Sequence, residues 1–441
     1  MTLEDYRNKW IFSRDSFDGV GGYIDGENLV KFTREDDEKF QNRKDIAFYV
    51  NHLKPSIKRF VDNLFKKSAM RDYKNPILEE FKDNCDLKNN SIENFMKDFS
   101  QNFKIRGCNL VLVDMPNSED EQQKDRKIPY LVEILPERVY QYKMDKFGKF
   151  EWIIWEFEVD ISEPFKDSKK ELNYMYYDSL KWEHRGEDKD TIIASGEHNL
   201  GLVPIVPLGK FPVVGDYVQI ADISKNIYNK QSELDLIFRD QTFSILAYQL
   251  EGYIGDDDGT PKITLSTDNL LTYGGNNAPQ FISPNTQSAQ IYQEEIKRLE
   301  TKIDDISKKI TGSNSTETAD SMKHRFEELN SELIATAKDI EDFEKNMIDV
   351  VFKWLNIENY EIEIIYPQEF NLADLKTEIE TLEVLSTYAP NSYLQAKLKK
   401  IMKIDLQNLS NEKFDEIIKE IDEKSFEVVD TETTLNIDSE V

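Results

Sequence analysis

The residue types that most often act in catalysis or bind metals are scarce in this sequence. It contains four histidines and two cysteines. The histidines match no metal-binding spacing such as H-E-x-x-H, and they are His52, His184, His198 and His324. We therefore predict packed or surface histidines, and no catalytic residue, no metal site and no cofactor.

One stretch, "GDDDGTPKITL", resembles a calcium-binding loop at first sight. If Gly259 takes the sixth position of such a loop, Asp256 and Asp258 take the third and the fifth. Ile254 and Leu265 then occupy the first and the twelfth, where carboxylates are required. The stretch therefore favours a hairpin turn over a calcium site.

The composition sets the scale of the fold. The 441 residues suffice for two or three folding units, and 39% hydrophobic residues can form a sizeable interior. The sequence has no long apolar run and no signal-like N-terminus, so we expect neither a membrane span nor secretion. Cys85 and Cys108 fit a reducing compartment. The net charge of −29 argues against a conventional nucleic-acid-binding protein with a basic face.

Two kinds of periodicity divide the N-terminal half of the chain. Apolar residues at helical spacing run from Ile46 to Leu64, with Pro55 as an expected kink. A further helix is predicted to begin at Ser91, a suitable N-cap. From residue 108 to about 210 the pattern changes to short alternating runs, with turn signals at "DKFGKF" and "RGEDKD". This region is predicted to be a strand-rich meander.

Long helices dominate the C-terminal half. A helix of about thirty residues follows residue 214, and short strands with tight turns follow the helix. The next helix carries an apolar seam typical of packing along a single neighbour, formed by Tyr292, Ile296, Leu299, Ile303, Ile306 and Ile310. After the polar insert "TGSNSTETADS", a third long helix runs from Phe326 to about Leu355. A strand in "YEIEIIYP", helical pieces and an acidic tail complete the chain.

The order of these elements and several local phrases resemble the portal proteins of tailed bacteriophages. The phrases are "YRNKWIFSRDSFDG", "NRKDIAFYVNHLKPSIKRFVDNLF", "LVLVDMP", "IPYLVEILPERVY", "LGLVPIVPL" and "DISKNIYNKQSELDLIF". The resemblance covers nearly the whole chain, although the residues after 371 match only in being helical.

The resemblance implies an α+β, portal-like fold. Residues 1–213 would form a wing of helices followed by strands, 214–251 and 286–310 the two stem helices, and 252–285 a small β clip between them. Residues 311–321 would form a tunnel loop, 322–370 a long wing helix and a strand, 371–424 a helical crown, and 425–441 the acidic tail.

The resemblance also implies a function. Portal proteins form rings, usually dodecamers, at one vertex of the capsid, and double-stranded DNA passes along the ring axis during genome packaging and ejection. The chain would then be a non-enzymatic virion component, a head-to-tail connector assembled in the host cytoplasm. Its partners would be further copies of itself, the DNA, the terminase large subunit, the head-tail adaptor, and the major capsid and scaffolding proteins.

Individual site residues follow from this placement. The tunnel-loop residues that would face DNA carry mainly hydroxyls and amides, which contact a phosphate backbone without fixing it: Thr311, Gly312, Ser313, Asn314, Ser315, Thr316 and Thr318. The flanking cations are Lys308, Lys309, Lys323 and Arg325. These cations either face passing phosphates or pair with acids at helical spacing, and both alternatives stay open. The clip residues that would dock terminase or the adaptor are Asp256, Asp257, Asp258, Lys262, Asp268 and Asn269.

Two other hypotheses remain at the level of the sequence. The chain would instead be a cytosolic coiled-coil scaffold if residues 286–355 bound protein partners and the β region acted as a recognition module. A weaker third hypothesis is a hydrolase with an unrecognised acidic site.

Overall fold

The computed structural model describes residues 1–33, 35–116, 127–241, 245–247, 280–282, 287–307, 319–367 and 370. The chain divides into two units, Met1–Tyr366 and Pro367–Val441, and the helices and strands described here belong to the first. The predicted crown (371–424) and acidic tail (425–441) lie outside the described residues. The first unit mixes α-helices with antiparallel sheets, so the α+β prediction is confirmed.

The described residues form eight α-helices. In chain order they are α1 (Leu3–Asp18), α2 (Asp37–Ile46), α3 (Leu53–Leu64), α4 (Ile77–Asp83), α5 (Ile92–Arg106), α6 (Val218–Gln241), α7 (Gln287–Ile306) and α8 (Ala319–Trp354). Ser91 caps α5, because its hydroxyl accepts a hydrogen bond from the Asn94 amide at 3.3 Å, as predicted. None of the helices in the described part of the chain is long and apolar enough to cross a membrane.

The same residues form twelve strands. They are β1 (Met70–Asp72), β2 (Asn109–Asp114), β3 (Tyr130–Ile134), β4 (Val139–Met144), β5 (Phe150–Asp160), β6 (Lys170–Asp178), β7 (Lys181–Arg185), β8 (Ile192–Glu197), β9 (Ile205–Leu208), β10 (Ile245–Ala247), β11 (Gln280–Ile282) and β12 (Glu363–Ile365). Strands β2 to β9 confirm the predicted meander, including its turns after β4 and β7.

Four antiparallel sheets result from the strand pairing. A meander orders the largest sheet as β4-β5-β6-β7-β8, and a three-stranded sheet has the order β3-β2-β9. Two further pairs join distant segments: β10 with β11 between the long helices α6 and α7, and β1 with β12. Strand β12 confirms the strand predicted in "YEIEIIYP", whereas its partner β1 and helix α4 were not predicted.

Two apolar cores organise the unit. The helical core is built from α1, α3, α5, α6 and α7, with Leu53 and Ile220 fully buried in it. The sheet core includes residues of the three- and five-stranded sheets and Trp10 of α1, whose indole N–H donates to the Val213 carbonyl at 2.8 Å. Since Phe17 of α1 belongs to the helical core, α1 ties the helices to the sheets.

The first helical region differs from its prediction. Helix α2 ends at Ile46 and α3 begins at Leu53, so residues 47–52 are not helical. Pro55 lies in the first turn of α3 and causes no kink, because a proline there removes an amide that has no partner within the helix.

The bounds of the long helices also differ from the predicted ones. Helix α6 ends at Gln241 and not at residue 251, since Ile245–Ala247 form β10 in a stretch, "TFSIL", whose β-branched and aromatic residues favour a strand. Helix α8 begins at Ala319, the residue type with the highest helix propensity, so positions 319–321 of the predicted tunnel loop are helical.

Candidate functional site

The residues predicted to face DNA or to dock other proteins lie almost entirely outside the described residues. This applies to tunnel-loop residues 311–318, to Lys308 and Lys309, and to all six clip residues. Lys323 and Arg325 lie on the first turns of α8, where the structure describes the backbone alone. Their roles stay predictions, but the elements on both sides of the tunnel loop are described and define a candidate site.

Helices α6 and α7 form an antiparallel hairpin that ends in the paired strands β10 and β11. Charged and aromatic side chains link the two helices. Burial, together with the nearby Glu233 carboxylate of α6, raises the pKa of Tyr292 of α7 to about 12. Lys230 lies over the same Tyr292 ring, with its Nζ 5.9 Å from the ring centroid.

The apolar seam of α7 is filled within the subunit. Ile296, Leu299 and Ile303 are buried against α6, α3 and α5 in the helical core. The sequence analysis expected the seam to pack along a single neighbour, but three helices pack against it. Tyr292 and Ile306 are partly buried against the same core, and Ile310 lies outside the described residues. Because α6 and the N-terminal helices cover Ile296, Leu299 and Ile303, these three residues are unavailable for contact with a second subunit.

Arg43 ties the N-terminal segment to α6. Its guanidinium is fully buried and donates to Glu35, with Nη2 2.8 Å from Oε2. Nη2 also donates to the Val30 carbonyl at 2.6 Å, and Nη1 donates to the Ser232 hydroxyl of α6 at 3.1 Å. The buried charge is thus paired and hydrogen-bonded, as a buried ion requires.

Arg59 of α3 holds the end of α7. Its Nη2 donates to the Ser307 carbonyl at 3.1 Å, and burial lowers the pKa of its guanidinium. A cation at this position is favourable, since helix C-termini carry unsatisfied carbonyls and partial negative charge. Ser307 directly precedes Lys308, so the helix is fixed at the point where the chain enters the tunnel-loop region.

Helix α8 is fixed at two levels beyond the loop. Lys104 of α5 pairs with Glu332, with 3.2 Å between Nζ and Oε1, and its ammonium lies 4.0 Å from the centroid of the Phe60 ring. Further along, Glu344 is fully buried and accepts hydrogen bonds from Arg71 at 2.6 Å and from the Tyr366 hydroxyl at 2.6 Å. Burial and the Glu344 charge raise the pKa of Tyr366 well above its ordinary value.

The end of α7 and the N-terminal half of α8 are therefore attached to the same layer of N-terminal helices. Arg59 and Phe60 of α3 contact α7 and Lys104, and Lys104 of α5 contacts α8. We call this arrangement the loop frame, defined by Arg59, Lys104, Ser307 and Glu332. It fixes the end of α7 and holds α8 at Glu332.

Sequence reasoning missed every cation of the loop frame. Arg59 and Lys104 stand within apolar helical patterns, "IKRFV" and "NFKIR", and a charged residue in such a pattern is the available signal of a buried ion. The partners are 248 residues away for Arg59 and 228 for Lys104. No spacing rule reaches across such separations.

The segment from residue 20 to residue 50 carries exposed apolar side chains. It surrounds a small core of Tyr23, Leu29 and Tyr228, the last of which belongs to α6. Ile24 is 75% exposed and Val30 61%. We call this the N-terminal apolar surface and define it by its exposed members, Val20, Ile24, Val30, Phe32, Phe48 and Val50.

The histidines and cysteines whose side chains are described are packing residues. His198 stacks on Tyr177, and its ring lies 5.8 Å from that of Trp354. Both cysteines are buried free thiols, and burial raises the pKa of Cys108 to about 12. Within the described residues, no group of histidine, cysteine and carboxylate side chains is arranged to hold a metal ion.

Comparison with protein families gives one match. A family model described as "Domain of unknown function (DUF4055)" matches residues 217–355. The matched range begins beside the start of α6 and ends beside the end of α8, so it covers the hairpin, the tunnel-loop region and the long helix. No curated protein matches the sequence.

Three solved structures of gene transfer agent (GTA) particles contain a similar chain. The virion of the native particle matches with a TM-score of 0.42 and 11% identity, over 93% of this chain and 98% of that chain. The neck of the empty particle with C6 symmetry matches at 0.40 and 10%, over 83% and 88%. The neck of the native particle with C12 symmetry matches at 0.41 and 11%, over 82% and 90%. These are chains to which this one is similar, and none of them identifies it.

Proposed function

We propose that the chain is the subunit of a portal ring in a phage-like particle, through which double-stranded DNA enters and leaves the capsid. The observation that supports this most is the order of its long elements. An antiparallel hairpin of α6 and α7, closed by a strand pair, is followed across residues 308–318 by the 36-residue helix α8. This is the order that the resemblance to portal proteins implies for stem, clip, tunnel loop and wing helix.

The dimensions of the hairpin suit a channel wall. At about 1.5 Å per residue, the 24 residues of α6 span roughly 36 Å and the 20 residues of α7 roughly 30 Å. In the proposed ring, these hairpins stand side by side around the axis, and residues 308–318 of every subunit would line one level of the channel.

The charge of the chain supports a channel through which DNA slides. A ring of twelve subunits carries about −350 charges, because each chain carries −29. Acidic walls repel phosphates. Because they neutralise few phosphates, contact with them releases few counterions, so the DNA binds weakly and moves along the axis easily. The uncharged residues Thr311–Thr316 touch the backbone without gripping it, and the neighbouring cations guide it.

The proposed ring is passive. Its clip seats the terminase, whose motor supplies the energy for packaging, and it later seats the head-tail adaptor. We propose no catalytic residue in this chain. The ring keeps the DNA on its axis while the terminase does the chemical work. The capsid and scaffolding proteins would contact its wing.

The N-terminal apolar surface is the proposed contact between neighbouring subunits. A ring requires two different complementary faces on each subunit, and exposed apolar side chains beside α6 supply one of them. Replacing Ile24 by Asp should therefore reduce the fraction of assembled rings in size-exclusion chromatography. The matched control is Phe165→Asp in the loop between β5 and β6, where the side chain is also exposed and assembly should be unchanged.

The structure weakens the support for a coiled-coil scaffold. That hypothesis needs the seam of α7 to be open for a partner helix. Ile296, Leu299 and Ile303 are instead buried in the subunit's own helical core.

The direct test of the ring is the mass and shape of the purified protein. A dodecamer of 51.7 kDa subunits has a mass of about 620 kDa and shows a central hole in images along its axis. We expect mass photometry and negative-stain class averages to show such a closed ring, with concentration raised to favour assembly. A monomer or a simple dimer at all accessible concentrations would refute the proposal.

The tunnel-loop assignment has its own test. Replacing Thr311–Thr318 by a short glycine linker should leave ring assembly intact, because the loop frame holds α7 and α8 without it. DNA packaging or retention should be impaired. Loss of assembly in this variant would show that the segment is structural and that the assignment is wrong.

A further inference from the structure

The three- and five-stranded sheets leave a cleft of about 390 Å³ between them. One wall is formed by β2 and β3 with Leu112 and Val132, and the other by β5 and β6 with Trp155 and Met175. Val132 is 37% exposed, so the cleft opens to solvent along β3. Its volume lies in the range of sites that bind small molecules or single side chains.

A carboxylate, Asp114, lies in this cleft at the end of β2. Its Oδ2 accepts hydrogen bonds from the hydroxyls of Tyr130 at 3.2 Å and Tyr177 at 3.1 Å. Its Oδ1 accepts one from the Met115 amide at 2.9 Å. A carboxylate accepts about four hydrogen bonds, so Asp114 retains the capacity for a further donor.

Asp114 differs from three buried glutamates of the unit, which each have an arginine partner. Glu35, Glu137 and Glu344 each bind an arginine, at 2.8, 2.6 and 2.6 Å respectively. Glu133 is satisfied by two asparagine amides on the other face of β3. Within the described residues, Asp114 has neutral donors alone, and burial raises the pKa of its carboxyl group. A cation from outside would supply what the fold supplies to the three paired glutamates.

The rest of the cleft also favours a cation. Glu156 and Glu158 add two carboxylates, whereas Arg138 is the cation among its described lining residues and is paired with Glu158 at 3.1 Å. With Asp114 and Glu133, the described lining residues therefore carry a net charge of −3 when all five groups are ionised. The Trp155 ring stacks on that of Tyr177 at 5.5 Å and offers an aromatic face, to which organic cations are attracted.

We propose that this cleft binds an organic cation with an alkylammonium or guanidinium group, which donates hydrogen bonds to Asp114 while its carbon chain packs on Trp155 and Met175. The cation comes either from a free diamine or polyamine or from a lysine or arginine side chain of another protein. The binding chemistry is the same for both sources. The proposal is independent of whether the chain forms a ring.

Isothermal titration of the full-length protein at constant ionic strength tests the proposal. The probes are putrescine, Nα-acetyl-lysine amide and Nα-acetyl-arginine amide. We expect saturable binding of at least one probe, and Asp114→Asn should weaken it by about tenfold or more, since hydrogen bonds to a charged group are lost. Tighter binding of putrescine identifies a free amine as the source, and tighter binding of an amino-acid amide identifies a protein side chain.

Two further variants make the outcome of the titration decisive. Glu171→Gln, a charge change at an exposed residue outside the cleft lining, should leave the affinity unchanged. If Asp114→Asn fails to fold, Glu156→Gln in the cleft should still weaken binding. Equal affinity for Asp114→Asn and the unmodified protein, or no saturable binding of any probe, would overturn the proposal.

Discussion

Replacing Glu344 by Gln should destabilise the first unit strongly. The Glu344 carboxylate is fully buried on α8 and accepts four hydrogen bonds: from Arg71 at 2.6 and 3.1 Å, from Tyr73 at 3.2 Å and from Tyr366 at 2.6 Å. Burial alone would lower the pKa of Arg71, but the charge of Glu344 raises it, so this arginine stays charged in the interior. Glutamine keeps the volume and one accepting oxygen, but it removes the negative charge and presents an NH2 donor where the second carboxylate oxygen accepted.

The expected loss follows from the geometry of this pair. Breaking a buried ion pair by removing one partner costs about 3–5 kcal/mol, because the remaining charge is left without compensation. Arg71 retains Glu93 as a second, partly exposed partner, which places the expected loss near the lower limit, at about 3 kcal/mol. Urea unfolding followed by circular dichroism measures it, and hydrogen exchange of the α8 amides locates it.

Two variants serve as references for this measurement. Glu163→Gln removes an exposed ion pair with Lys166 and should give no measurable change. Arg71→Met combined with Glu344→Gln should recover part of the stability, since methionine in place of Arg71 removes the charge that Glu344→Gln leaves unpaired. A loss below about 1 kcal/mol for Glu344→Gln alone would refute the reasoning, because the buried pair would then contribute no more than a surface pair.

Three more predictions concern single positions. Gly107→Ala should destabilise the folded protein far more than Gly148→Ala. Both glycines have positive φ, but an added Cβ overlaps the backbone of Gly215 only at Gly107. Equal melting temperatures for the two variants would contradict this. With its pKa at about 12, the Cys108 thiol should be about one part in 10⁴ thiolate at pH 8. Ellman's reagent should therefore label Cys108 only after the protein unfolds. If Cys108 of the folded protein reacted as fast as that of the unfolded protein, its thiol would not be buried. Burial raises the pKa of Asp114, so its ionisation costs the folded state stability as pH rises above the ordinary value near 3.8. Asp114→Asn should therefore raise the melting temperature more at pH 7 than at pH 4, and the opposite pH trend would contradict the burial argument.

Local features of the fold were predictable from the sequence. Ser91 caps α5, and β7 consists of the five residues "KWEHR". Both features were predictable because capping and strand alternation depend on neighbouring residues. The apolar spacing of α8 also identified its buried face, since Leu333, Ile340 and Met347 are buried as the spacing predicts. The end of α6 was missed because strand pairing with a segment beyond residue 279 competes with helix propensity there.

The partners of these faces were not predictable. The apolar seam of α7 predicts a buried face. Its residue types do not indicate whether a second subunit or α6 and α3 cover that face. Likewise, the sequence places Arg59 on α3 without indicating that it binds the Ser307 carbonyl at the far end of the hairpin. Asp114 reads as one more acid after an apolar strand until the sheets bring Tyr130 and Tyr177 to it.

By itself, the sequence determined the kind of element at most positions, the acidic balance of the chain and the order that resembles a portal subunit. These properties depend on residue type and on spacing over a few residues. Tertiary structure alone decided which faces are covered within the subunit, how the loop frame holds α7 and α8, and which neutral donors surround the Asp114 carboxylate. Such features arise from contacts between residues up to 295 positions apart, and only packing brings these residues together.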